Sequence, residues 1–282
     1  RDFWKFSISR AANAWNQIER LAVVDGHRIA ARITVPMSSY NDTVRWAASH
    51  GLVVLPYSTE AAPSGYGSLI VPGLDAQTCL LVKPENVAAA SAVIRVMVSP
   101  TSSQAQKDDA MGSILGYPKC CREFYARTWG SGQVDSTWDQ FATTGLANGP
   151  VECNMLWRFI GIRWVPHLPC SYQCAGTTSS GVMYQEVAQK HGFIEEAKTI
   201  NQVLRWPASV SSVNGILEIE GPCLKLCTNT DWAPPSHNRW YKRDGIYVKP
   251  TKDGWEQNGM RSYKDMVESH DHVIRVCKEF VP

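Results

Sequence analysis

Two cysteines stand side by side in "LGYPKCCREF" (115–124), and two more follow in "HLPCSYQC" (167–174). This pattern constrains the chain more than any other feature, because adjacent thiols have little use for each other. Consecutive Cα atoms lie about 3.8 Å apart, whereas a relaxed disulfide prefers about 5.5–6 Å. Cys120 and Cys121 are therefore expected to face something else that accepts sulfur. The fold has to bring that partner to them.

The chain has nine cysteines in 282 residues. The opening "RDFWKFSISR" lacks a secretory apolar core, and no apolar run approaches the ~18–20 residues that span a bilayer. The expectation is a cytoplasmic protein without a membrane segment. Cytoplasmic thiols stay reduced, so grouped cysteines read as metal-binding or catalytic. Hydrophobic residues make up 44% and charged residues 19%, enough for a core that needs no disulfide staples. Eleven tryptophans can anchor that core or line a cleft. The net charge of +2 and isoelectric point near 8.1 are too mild to demand a nucleic-acid or anionic-membrane partner.

Along the chain, "SRAANAWNQIERLAVV" has helical spacing and "HRIAARITVP" alternates like a strand. "SYNDTVRWAASHG" predicts a helix ended by Gly51. "LVVLPYS", "GSLIVPG" and "TCLLVKP" have strand length, and "PENVAAASAVIRVMVS" starts with Pro84, as helices often do. Residues 1–98 thus read as a small α/β unit. The polar stretch 99–109 is the candidate boundary. Beyond it the spacing predicts helices over "DDAMGSIL", "KCCREFYARTW", "STWDQFATTG", "ECNMLWRFIGI", "VMYQEVAQKHG" and "IEEAKTINQVLRW". Asn214-Gly215 between alternating runs predicts a β-hairpin over about 208–228. "SYKDMVESHDHVIRVCKEF" reads as a C-terminal helix with Ser262 as its N-cap. The fold class is α/β (α+β). A small mixed α/β unit packs on a mostly helical, cysteine-containing unit (99–282) that carries the hairpin.

Cys79 and Cys277 lie inside apolar patterns and read as small buried hydrophobes; Cys153 is open to either reading. "PCLKLC" (222–227) lies in an alternating, extended run, so Cys223 and Cys227 would be roughly 13 Å apart. Sulfurs at about 2.3 Å from one ion cannot span that distance. "PCSYQC" (169–174) instead sits in a proline-broken loop entering a helix, where an i,i+4 relation brings Cys170 and Cys174 to about 6 Å. The candidate metal ligands are therefore Cys120, Cys121, Cys170 and Cys174, with His167 beside them.

Successive side chains diverge on a helix or a strand. Two adjacent thiolates therefore suit the separate irons of an iron–sulfur cluster, a 4Fe–4S cluster above all, better than one tetrahedral zinc. A C-x3-C-x2-C motif would point to radical chemistry with S-adenosylmethionine, but Thr177 stands at its third position. His167 could be a ligand or proton donor, and Tyr117 and Arg122 could act on a substrate. Basic and aromatic residues interleave over 237–252, a pattern that can contact nucleic acid.

Taken together, "LGYPKCCREF", "HLPCSYQC", "NGILEIEGPCLKL" and "NGMRSYKDM" resemble a group of prokaryotic and phage proteins of unassigned function. That group is marked by GYP-x-CC, H-x-PCS and hairpin signatures, here over residues 110–275. The resemblance implies that these motifs serve one site and implies no chemistry. The leading expectation is an iron–sulfur enzyme doing redox or sulfur chemistry on a small molecule or nucleotide. The alternative is a zinc-stabilised or thiol-packed module that binds a protein or nucleic acid.

Overall fold

A computed structural model describes residues 2–58, 75–128 and 149–205, and the backbone of the strands 208–213, 216–220, 225–229, 247–251, 254–258 and 273–276. Among the described residues the fold is mixed α/β, with seven α-helices and a three-stranded antiparallel sheet near the N-terminus. No helix among them is long and apolar enough to cross a membrane.

The sheet runs β1 (Ala30–Pro36), β3 (Ala76–Val82), β2 (Val53–Ser58), with β3 antiparallel to both neighbours. Its central strand is apolar almost throughout because both faces are covered. Ala31, Ile33, Val35, Cys79 and Leu81 meet Val23 at the end of α1 (Asp2–Val24) and Ala47 of α2 (Tyr40–Ser49). On the other face, Ala30, Leu80 and Val82 pack with Ala90 of α3 (Val87–Val98) and with Met111 and Ile114 of α4 (Gln104–Ile114). Gly51 ends α2 with φ +70°, as its sequence position implies.

The polar stretch 99–109 holds the turn between α3 and α4 and the start of α4. Ser103 and Gln106 close a reciprocal capping box there, at 3.2 Å and 2.8 Å. Neither neighbouring core stops at this turn. The sheet core takes residues from α4, and α1 packs mainly against α6 (Ala175–Lys190) and α7 (Ile194–Leu204). That second core joins Ala11, Trp15 and Ile18 to Trp157, Trp164, Tyr184 and Ile200. Three of the eleven tryptophans thus anchor it. Among the described residues, α1 and α4 thus carry apolar contacts across this turn.

Two sequence expectations need revision. "ECNMLWRFIGI" is not an α-helix but two short 3-10 turns, Val151–Cys153 and Arg158–Ile160. Asn154 diverts the chain: its side-chain oxygen accepts from the Leu156 N–H at 3.0 Å, and its amide donates to the Leu204 carbonyl at 2.7 Å. A side chain that takes a backbone N–H this way competes with the helical ladder. Within the expected C-terminal helix, Val273–Val276 is instead strand β9, paired with β4 (Ala208–Val213); the rest of that segment lies outside the described residues. The strand expected at 67–73 and the helix expected at 136–145 also lie outside them. The hairpin is present: β4 pairs with β5 (Ile216–Glu220) with Val213 opposite Ile216, and β5 pairs with β6 (Lys225–Asn229). Of the basic stretch 237–252, residues 247–251 form β7, paired with β8 (Gly254–Asn258), and the remainder is outside the described residues.

Candidate metal centre

The sequence "LGYPKCC" builds a helix–turn–helix. Gly116 ends α4 at φ +68°, and the Tyr117 N–H returns to the Gly112 carbonyl at 2.9 Å, the closing bond of a Schellman turn. Pro118 then opens α5 (Lys119–Arg127), which places Cys120 and Cys121 in its first turn. The second pair arrives differently. The Cys174 N–H bonds to the Ser171 carbonyl at 3.3 Å, and Cys174 is the N-cap of α6. Gly176 lets the two helix starts approach, since a Cβ there would sit 3.0 Å from the Pro118 ring.

The four sulfurs of Cys120, Cys121, Cys170 and Cys174 all lie within 4.8 Å of one another and form a group able to hold a metal ion. Cys121 and Cys174 are 3.5 Å apart, Cys120 and Cys174 3.7 Å, and Cys120 and Cys121 3.9 Å. The expected divergence of adjacent side chains therefore does not separate this pair. In a first helical turn no preceding turn crowds the side chains, and both swing toward the open end. Cys121 and Cys174 are buried, Cys170 is half-buried and Cys120 is exposed.

Close packing of the thiols shifts their proton affinities in opposite directions. Hydrogen bonds from the Cys121 and Cys170 thiols pull the Cys174 sulfur far below the ordinary thiol range. The same contacts, with Cys170 first, push the Cys121 thiol up. One thiolate is thus shared among neighbouring thiols, and further ionisation needs a compensating positive charge. Two helix N-termini, of α5 and α6, present their positive dipole ends here.

A fifth thiol was not assigned from the sequence. Cys153 is fully buried against Cys121 and Cys174, and its Sγ donates to the Cys174 carbonyl at 3.5 Å. Burial pushes it up to about 11, so it stays a neutral thiol beside the four-sulfur group. Gly181 allows this approach, because any Cβ there would strike Glu152 at 2.4 Å.

The three residues expected to act on a substrate occupy different surroundings. His167 is buried, with Nε2 2.9 Å from the Thr177 hydroxyl and its ring centroid 5.1 Å from that of Tyr117, the planes tilted by 39°. Burial, then the Arg28 charge, push its imidazole down to about 3, so it is neutral. Tyr117 lies between His167 and the buried Arg28, whose guanidinium sits 5.6 Å from the ring and donates to Glu19 and Tyr184. Arg122 leans away from the sulfurs onto Asp109 of α4, at 2.6 Å. Thr177 and Arg28 were also invisible as site residues in the sequence; the one signal was Thr177 at a position where a longer cysteine motif would need sulfur.

No protein-family model, no curated protein and no solved structure matches this chain.

Proposed function

We propose that Cys120, Cys121, Cys170 and Cys174 together hold one tetrahedral ion of the zinc type, and that its role is to lock the starts of α5 and α6 together. The observation that carries this reading is the sulfur spacing. Thiolates at about 2.3 Å from a tetrahedral centre lie about 3.8 Å from each other. Three of the sulfur pairs are separated by 3.5, 3.7 and 3.9 Å. A 4Fe–4S cluster binds each thiolate at a different corner and spreads them to about 6 Å, beyond the 4.8 Å limit of this group. Four protein sulfurs also leave no open coordination position, the mark of a structural rather than a catalytic zinc site. The chain is then a metal-stabilised module in a thiol-reducing compartment rather than a redox enzyme.

Metal analysis of anaerobically purified full-length chain tests this. About one zinc per chain in a colourless protein is the expected result. Brown protein absorbing near ~400 nm, with iron and acid-labile sulfide, would instead establish the iron–sulfur reading.

A further inference from the structure

We propose that Thr177 and His167 form a hydrogen-bond relay that supports the thiolates: His167 Nε2–H donates to the Thr177 hydroxyl, which donates in turn to the Cys121 sulfur. This rests on the metal reading above and assigns two positioning residues to that site.

The geometry comes from four consecutive hydroxyls in the first turns of α6. Thr178, Ser179 and Ser180 each donate back to the carbonyl four residues earlier, at 3.0, 3.1 and 2.9 Å. Thr177 is fully buried and turns the other way. Its Oγ1 lies 3.4 Å from the Cys121 Sγ and 2.9 Å from His167 Nε2. A hydroxyl has one proton and two lone pairs. If Thr177 gave its proton to His167, the Cys121 sulfur would have to be the donor. A metal-bound thiolate has no proton to give. With metal present, the arrangement that satisfies all three atoms puts the imidazole proton on Nε2 and points the hydroxyl proton at the sulfur.

Burial leaves the imidazole with one proton to place. His167 is 4% exposed and neutral, and the Tyr117 ring packs against it. The neutral imidazole carries a single proton, and the relay requires it on Nε2. A donor aimed at a metal thiolate withdraws electron density from sulfur and fixes its orientation. Groups that support ligands in this manner typically change metal affinity by 10–100-fold.

The test uses the full chain stripped of metal and reloaded with cobalt(II), whose sulfur-to-metal charge-transfer band reports on the thiolates. Thr177→Val keeps the shape and removes the hydroxyl. It is expected to weaken cobalt binding at least tenfold and to move the band to longer wavelength, with Thr177→Ser restoring both. His167→Phe should shift the band in the same direction, and His167→Gln, which keeps an N–H donor, should not. Unchanged affinity and an unchanged band in Thr177→Val would overturn the relay while leaving the metal site standing. Should Thr177→Val fail to fold, identical bands in His167→Phe and His167→Gln would overturn it. A wild-type chain that takes up no cobalt would remove the metal reading itself.

Discussion

The two ends of helix α6 are held by opposite means. Along its second half, Tyr184, Val187 and Ala188 enter an apolar core. There Trp15 meets the Tyr184 ring edge-on at 4.9 Å and Trp164 at 6.3 Å. Such contacts need nothing from outside the chain; burying apolar area is favourable in any compartment. At its first turn, Cys174 and Thr177 meet Cys121, with Cys153 behind them. Sulfurs this close gain little from burial and repel once ionised. The first end is self-sufficient. On the proposed zinc reading, the second is conditional on a cation and on reduced thiols.

The largest expected break in this contrast is metal removal. A site whose free metal exceeds its Kd a millionfold contributes about 8 kcal/mol of stability. Chelation, or Cys174→Ala, should therefore lower the melting temperature more than any single core substitution, as followed by thermal unfolding. Next comes Trp15→Ala, expected to cost about 3–5 kcal/mol. The cost should be the same in loaded and stripped protein, and a cost that depended on metal would show the two ends to be coupled.

A smaller effect lies in pH. His167 titrates near 3 when folded and near 6.5 when unfolded. Between those values the unfolded chain takes up a proton that the folded one refuses. Stability therefore falls as pH drops below about 6.5, by about 2 kcal/mol at pH 5. Denaturant titrations of the metal-stripped chain from pH 7 to 5 should show this slope in the wild type and lose it in His167→Gln. Parallel curves would mean the imidazole is not held neutral. The smallest change is expected from Cys153→Ala: about 1 kcal/mol with metal stoichiometry unchanged. A drop in bound metal would make Cys153 a ligand.

Much of this was readable in advance, where local chemistry suffices. Alternating residues in β1, the Gly51 stop and the Asn214-Gly215 hairpin all act through neighbours within a few residues. The grouping of Cys120, Cys121, Cys170 and Cys174 was legible too, because a proline-broken loop and an extended strand give different reach to the same P-C-x3-C spelling. The 3-10 turns at 151–160 were not legible. Asn154 draws its second partner from Leu204, 50 residues away, and no local periodicity encodes that.

The same limit separates which sulfurs belong together from what they can hold. Spacing along the chain singled out the four thiols that the fold brings together. Their mutual distances depended on two helix starts meeting over Gly176, and on Pro118 turning both adjacent thiols toward one point. Cys153 and Thr177 joined the site through packing of the turn at 151–153 and of the Tyr117–His167 pair against α6. Hydrogen bonds within a turn are written in short sequence. The closing of a four-sulfur group is a long-range event, set by which buried surfaces fit.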